Sequence, residues 1–559
     1  MSTKWRRQAV ATVLLVLLGT AVTGAQDRDF EPVTDAMLEN PDPADWLSWR
    51  RTLDGWGYSP LDQINTDNVH QLQLVWAWQL GPGNSQPTPL VHDGVMYIPN
   101  PGNIVQAVDA VTGDRLWQYT RERRTRPDRP DAPPSRGSRS IAIYGDKIYL
   151  NTSDAHIVAL DAATGEVAWD HTVADRALGY RYTSGPIVAR GTIVAGMTGC
   201  QNYKNDVCFI SGHDAETGEE LWRTSTVARP GEPGGDTWGD LPLMYRAGAD
   251  SWIPGSYDPQ TNLTYWSTSQ PKPWARVSRK TDGDALYSNS VLALDPATGD
   301  LEWYYQFVPG ETHDLDEVFE SVLIDHDGRR SLFKMGKLGI LWELDRTTGA
   351  FVAAHDLGYQ NVLDVDPQTG QVTYRPGMIP RAGVELEFCP NFGGIRNWYA
   401  SAYHPGTQAL YIPIHPTCVT GVFTELEQEV GNNYYANRGW RSLGTTAHPD
   451  SPDHRGHLIA MDITTGEILW RHSMATRPRS AALTTGGGLV VGADTDRYLY
   501  IHDVANGDVL FQTRLPASVQ GFPITYAVEG RQYLAVPVGG NRSNAIYVFA
   551  LPQEPGARR

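Results

Sequence analysis

One ten-residue phrase recurs along this chain and limits its fold more than any other feature. It reads VDAVTGDRLW at Val108–Trp117, LDAATGEVAW at Leu160–Trp169 and HDAETGEELW at His213–Trp222. It returns as LDPATGDLEW at Leu294–Trp303, LDRTTGAFV at Leu344–Val352, MDITTGEILW at Met461–Trp470 and HDVANGDVLF at His502–Phe511. Apolar residues lead into an aspartate which, with the following threonine, can hydrogen-bond the backbone of a turn. Glycine supplies a positive φ where the chain reverses, and the next strand carries tryptophan. Each phrase therefore reads as a hairpin whose indole can bury its large area against a neighbouring unit.

The aspartates at 109, 161, 214, 295, 345, 462 and 503 are separated by 52, 53, 81, 50, 117 and 41 residues. The shorter spacings suit one four-stranded unit per phrase, as in repeat architectures. The 81-residue interval implies an insertion within one unit, and the 117-residue interval leaves room for a degenerate one. Seven clear phrases and one degenerate unit predict an all-β, eight-bladed β-propeller, with a seven-bladed ring as the main alternative. The segment VWAWQL, Val75–Leu80, is expected to pair with the C-terminal strand region and close the ring. Composition agrees: 18 Trp, 55 Gly and 38 Pro favour strands and turns over helices.

The N-terminus reads as an export signal over residues 1–25, leaving a single domain over 26–559. Lys4, Arg6 and Arg7 precede an apolar run from Ala9 to Val22, and Thr23, Gly24 and Ala25 offer small residues for cleavage. The run is short for a membrane span, so stable membrane insertion is not expected, with an uncleaved anchor as the alternative. The expected location is the periplasm. In an exported chain the four cysteines favour two disulfides, and the simplest pairing is local: Cys200–Cys208 and Cys389–Cys418. No CxxCH occurs, so a covalently attached haem c domain is not expected. Formal net charge is −18, and removal of a leader with three basic residues and no acid takes it to −21. That charge argues against nucleic-acid binding and suits a basic soluble partner; simple solubility is the plainer explanation.

The phrase resembles the tryptophan-docking motif of the PQQ-dependent quinoprotein alcohol dehydrogenases, methanol and ethanol dehydrogenases among them. The resemblance runs from WLSWRRTLDGWGYSPLDQI, Trp46–Ile64, to the last unit. It implies a propeller that holds pyrroloquinoline quinone over a metal ion. PQQ is a planar ortho-quinone with three carboxylates, so its site needs flat stacking surfaces, cations and a metal to polarise the reactive carbonyl. In SWIPGSYDPQTNLTYWSTSQPKPW, Ser251–Trp274, the family match makes Trp252 the aromatic floor below the cofactor. The family's vicinal-cysteine cover has no counterpart in Arg129–Leu150; the Cys200–Cys208 loop is the candidate replacement. Arg139 matches an arginine that meets a cofactor carboxylate, while Thr183 and Thr198 match hydroxyl residues that bond PQQ. Gln86 stands where a glutamate is common. Asn397 and Trp398 match a cofactor-contacting pair, and Gly199 and Cys200 complete the implied set. Lys337 takes the place of the basic residue near the quinone oxygens.

The implied metal ligands are Gln201, Gln270, Asp314 and Asp316. Gln201 replaces a glutamate and Gln270 an asparagine; both keep a side-chain carbonyl oxygen. Asp314, in PGETHDLDEVFE, matches the general base that takes the alcohol proton as hydride passes to the quinone. Asp316 matches an additional ligand of lanthanide-using relatives; a solvated acid is its plainer reading, as a structural histidine is for His313. Two aspartates without a glutamate equal the calcium pattern in charge, so Ca²⁺ is expected, with a lanthanide as the alternative. The implied function is oxidation of an alcohol substrate, with electrons passed to a separate acceptor such as a soluble cytochrome c. The alternatives are a dehydrogenase for sugars or bulky secondary alcohols, and a propeller scaffold without cofactor.

Overall fold

Each recurrent phrase forms the turn its residues predict. In the computed structural model, which describes residues 30–122, 137–427, 439–540 and 543–553, the Asp109 carboxylate accepts from the N–H groups of Val111 and Thr112, both at 2.9 Å. Gly113 follows at φ 79°, and the next strand enters the ladder after a register shift. The same bonds recur from Ala297 and Thr298 to Asp295, and from Thr464 and Thr465 to Asp462. In all seven phrases the turn joins the last two strands of an antiparallel run of four, and in the seventh sheet Tyr58–Ser59 adds a parallel fifth strand at the opposite edge. The expected leader lies outside the described residues, as does the first part of the Arg129–Leu150 stretch.

The indoles join one sheet to the next. Trp117 lies against Gly165 of the following phrase and donates its Nε1–H to the Ala162 carbonyl at 2.9 Å. Trp169 meets Gly218 and the Ala215 carbonyl, Trp222 meets Gly299 and the Pro296 carbonyl, and Trp470 meets Gly507 and the Val504 carbonyl. A Cβ on any of these four glycines would stand 2.4–2.6 Å from the ring, and their φ values are 74–79°. Glycine is thus needed both for the turn and for the docked indole.

Among the described residues, eight sheets have four or more strands, and seven of them carry the phrase. The eighth combines both ends of the chain: Gln73–Leu80 pairs with Ser543–Ala550, followed by Arg531–Gly540 and Ile524–Val528. This is the closure expected of Val75–Leu80. The 81-residue interval contains two excursions, 226–255 before the fourth of the phrase-bearing sheets and 268–289 between its second and third strands. The 117-residue interval holds no further four-stranded sheet among the described residues. It forms instead a two-stranded ribbon, Leu363–Val365 with Val372–Tyr374, and a three-stranded sheet of Glu385–Phe388, Thr417–Phe423 and Trp440–Ala447. The ribbon contains an Asp–Thr–Gly turn at Asp366–Gly370 that the missing tryptophan hides in the sequence, and the Phe351 ring lies against Gly370. Both disulfides form as the local pairing predicts.

Trp222 is buried and makes both docking contacts, so Trp222→Ala is expected to lower the unfolding free energy by roughly 3–5 kcal/mol in urea denaturation. Gly299→Ala is expected to destabilise the fold as well. Wild-type stability in both variants would show that the indole does not hold adjacent sheets together.

Candidate active site

Strand polarity gathers the predicted residues. In each phrase-bearing sheet the first strand begins, and the antiparallel second strand ends, on the same side of the molecule. Gln86, Arg139, Thr183, Trp252, Asp314, Asp316, Asn397 and Trp398 precede the first strands of their sheets. Thr198, Gly199, Gln201, Gln270 and Lys337 follow second strands. Residues separated by hundreds of positions therefore share one mouth.

Most of them line a cavity of about 330 Å³ there, within the range of small-molecule sites. Nine predicted residues form its wall: Gln86, Arg139, Thr183, Thr198, Gly199, Gln201, Trp252, Asn397 and Trp398. Arg139 is their hub. It donates Nε–H to Gln86 Oε1 at 2.8 Å and Nη1–H to the Thr183 and Trp252 carbonyls at 3.0 and 3.3 Å. Its guanidinium also sits 5.2 Å from the Trp252 ring centroid, a cation–π contact that orients both groups. Cys200, expected among the cavity residues, lies behind the wall instead. Its disulfide to Cys208 is buried, its N–H donates to Asp250 Oδ1 at 3.0 Å, and its carbonyl accepts from Gly248 N–H at 2.9 Å. The disulfide braces the segment whose Gly199 and Gln201 line the cavity.

Four further charged residues complete the lining: Arg181, Asp250, Lys272 and Arg479. Among the described residues neither Arg181 nor Arg479 forms a salt bridge, whereas Lys272 Nζ is 2.8 Å from Asp250 Oδ2. The sequence reading missed all four, although three carried a signal. Asp250, Arg181 and Lys272 stand two positions from Trp252, Thr183 and Gln270 respectively, and extended chain places i and i+2 on one side.

Gln270, Asp314, Asp316 and Lys337 form a second cluster. Lys337 Nζ lies 2.9 Å from Asp316 Oδ2 and 3.4 Å from Asp314 Oδ2, and donates to the Asp314 carbonyl at 2.7 Å. Gln270 donates its side-chain N–H to Asp314 Oδ1 and its backbone N–H to Asp316 Oδ1 at 3.1 Å. Asp316 is buried and bonded, not a solvated acid. Burial pushes the Asp314 carboxyl upward against the pull of Lys337, and the like charges of Asp316 and Glu311 push the same way. Burial opposes charge on Lys337, yet Asp314 and Asp316 outweigh it and hold the ammonium above its usual range. His313 is a structural histidine: fully buried 4.8 Å from the Phe388 ring, it is pushed down to about 3 by burial.

These donors suit a cation in one respect. Gln270 Oε1 is buried and has no hydrogen-bond partner among the described residues, beside two carboxylates. Gln201 stands apart on the cavity wall. Its neighbour Cys200 is linked to Gln270 through Gly248 and Ala249, whose N–H groups bond the Cys200 and Gln270 carbonyls.

Glu320 joins the Asp314 loop to the opposite wall. It meets Arg396 Nη2 at 2.6 and 2.7 Å and accepts from Ser401 N–H and Oγ–H, flanking Asn397 and Trp398. Burial works to raise its pKa, but Arg396 and Ser401 outweigh burial and hold the carboxyl below its usual range.

The chain matches the family described as "PQQ: Glucose/ethanol/alcohol dehydrogenase, beta-propeller domain" over residues 46–355 and 360–534. It is 30% identical to the quinoprotein alcohol dehydrogenase PedH of Pseudomonas putida, over 99% of this chain and 98% of that protein. It is 32% identical to the quinohemoprotein alcohol dehydrogenase ADH IIB of Pseudomonas putida, over 89% of this chain and 73% of that protein. Among solved structures it is similar to a europium-containing methanol dehydrogenase, with a TM-score of 0.84 and 26% identity over 92% of this chain and 99% of that one.

Glu320→Gln should cost about 3–5 kcal/mol at pH 7, because it leaves Arg396 buried without its charge partner. A depressed carboxyl stabilises the fold above its ordinary range, near pH 4.3, and that contribution is lost as pH falls. Denaturation curves of the two proteins are therefore expected to converge as pH falls below that range. A pH-independent difference would contradict this assignment.

Proposed function

The chain belongs to the PQQ-dependent alcohol dehydrogenase β-propeller family, and on that premise we propose that it oxidises an alcohol to an aldehyde or ketone in the cavity walled by Arg139 and Trp252. When bound, PQQ supplies the hydride acceptor for that oxidation. One observation carries the reading: a cation-lined cavity and a buried carboxylate held beside an ammonium meet at one mouth of the fold. Arg139, Arg181 and Arg479 suit the carboxylates of such a cofactor, because guanidinium forks match carboxylate geometry. Trp252 and Trp398 offer flat apolar faces, and Gln86, Thr183, Thr198 and Asn397 offer hydrogen bonds in the plane.

Asp314 then acts as general base, its Oδ accepting the proton of the substrate hydroxyl. Burial favours the neutral acid, which raises its proton affinity towards that of a working base. Lys337 keeps a fixed positive charge 3.4 Å from that carboxylate, where it stabilises the negative charge that develops during turnover. Gln270, Asp314 and Asp316 would hold a metal ion whose chemistry is Lewis-acid polarisation, with Gln201 offering a further oxygen from the cavity wall. Two carboxylates and two amide oxygens favour Ca²⁺ over a trivalent lanthanide.

The eight sheets of four or more strands support an eight-bladed ring. The basic and apolar N-terminal segment supports export to the periplasm. Formal net charge of −18 supports a basic soluble electron acceptor such as a cytochrome c.

Protein reconstituted with PQQ and Ca²⁺ is expected to reduce an electron-accepting dye with at least one primary alcohol, secondary alcohol or polyol. Asp314→Asn is expected to retain PQQ absorbance while turnover falls about 10²- to 10⁴-fold. PQQ-loaded wild type that oxidises no alcohol would overturn the reading.

A further inference from the structure

Lys272 is the one ammonium among the residues lining the cavity, and the structure fixes it there from several directions. Its Nζ is 2.8 Å from Asp250 Oδ2, and both side chains are about nine-tenths buried. The other Asp250 oxygen accepts from the Cys200 N–H, so the carboxylate is clamped between a disulfide-braced loop and the lysine. The backbone is fixed too. Ala247–Gly248 pairs antiparallel with Pro271–Lys272, and Gly248 and Ala249 bond the Cys200 and Gln270 carbonyls. One short ribbon therefore ties Lys272 to the segments that carry two of the candidate metal donors, Gln201 and Gln270.

A buried ammonium loses much of its hydration and needs hydrogen-bonding partners in return. It has three donors. One is used on Asp250, and among the described residues no protein group takes the other two. Lys272 thus presents a fixed positive charge and spare donors to the cavity. The candidate metal donors next to it are weak by comparison: Gln201 and Gln270 are neutral, and Asp314 and Asp316 are both paired with Lys337.

We propose that Lys272, held by Asp250, is a built-in cation of the cofactor site that anchors PQQ's anionic oxygens, so that cofactor retention does not depend on a bound metal ion. This inference rests on the PQQ reading of the cavity. It assigns to a side chain part of the charge neutralisation that a metal would otherwise supply at this wall.

The test compares wild type, Lys272→Met and Lys272→Arg, each loaded with PQQ in Ca²⁺, then treated with EDTA and passed over a desalting column. Bound PQQ is read by absorbance, and the fold by near-ultraviolet circular dichroism. Wild type and Lys272→Arg are expected to keep PQQ after chelation. Lys272→Met, with Ca²⁺ removed, is expected to bind PQQ about 10- to 100-fold more weakly, the loss of one charge-assisted hydrogen bond. Equal release of PQQ from EDTA-treated wild type and Lys272→Met would overturn the inference and leave the cofactor reading intact, as would equal retention. Failure of wild type to take up PQQ with either Ca²⁺ or La³⁺ would overturn both. If Lys272→Met does not fold, release of PQQ from chelated wild type still refutes the inference, and retention by wild type with loss from Asp250→Asn supports it.

Discussion

An indole laid on a glycine is the contact on which the rest of this structure depends. A sheet cannot bury both its faces alone, so each must lie against a neighbour, and the seam needs a large apolar group on one side and space on the other. Trp117, Trp169, Trp222 and Trp470 supply the group, and Gly165, Gly218, Gly299 and Gly507 the space. Each indole also donates to a carbonyl in the turn it covers. That bond orients the contact as well as satisfying the N–H, so the offset between neighbouring sheets repeats along the chain. A repeated offset is what allows Gln73–Leu80 to meet Ser543–Ala550 and join the two ends.

From that closure follows the position of the chemistry. Antiparallel first and second strands bring one strand's start and the next strand's end to a common face, whatever their distance in sequence. Arg139 can then bond Gln86, Thr183 and Trp252 at once, although it stands 53, 44 and 113 residues from them. The mouth is crowded with charge, and these buried charges are paired. Lys337 serves Asp314 and Asp316, Lys272 serves Asp250, and Arg396 serves Glu320. Buried charges are tolerated only in such partnerships, and the same partnerships hold the site residues in place before any ligand arrives.

Much of the site was legible because a family resemblance gives register. Trp252, Thr183 and Asn397 are unremarkable as single letters, yet the frames around them place each beside the first strand of a different sheet. Cys200 shows where that approach fails. Its position next to Gln201 was right, but a disulfide turned its side chain into the wall. Arg181, Asp250 and Lys272 show the opposite failure. They lie two residues from recognised positions, and no resemblance marked them. The Asp366 turn escaped notice because the strand after it carries Tyr374 at the position where most of the other phrases carry tryptophan.

The sequence by itself determined the repeating turn, the strands on either side of it and the two disulfide pairs. Those are local properties: an Asx turn, a positive φ and a short loop between cysteines need only nearby residues. The tertiary structure decided which charges face the cavity and which brace it, and that the 117-residue interval became accessory sheets. It also decided that Lys272 pairs with Asp250 instead of pointing to solvent. Those outcomes depend on burial, and burial is set by what distant segments bring to the same place.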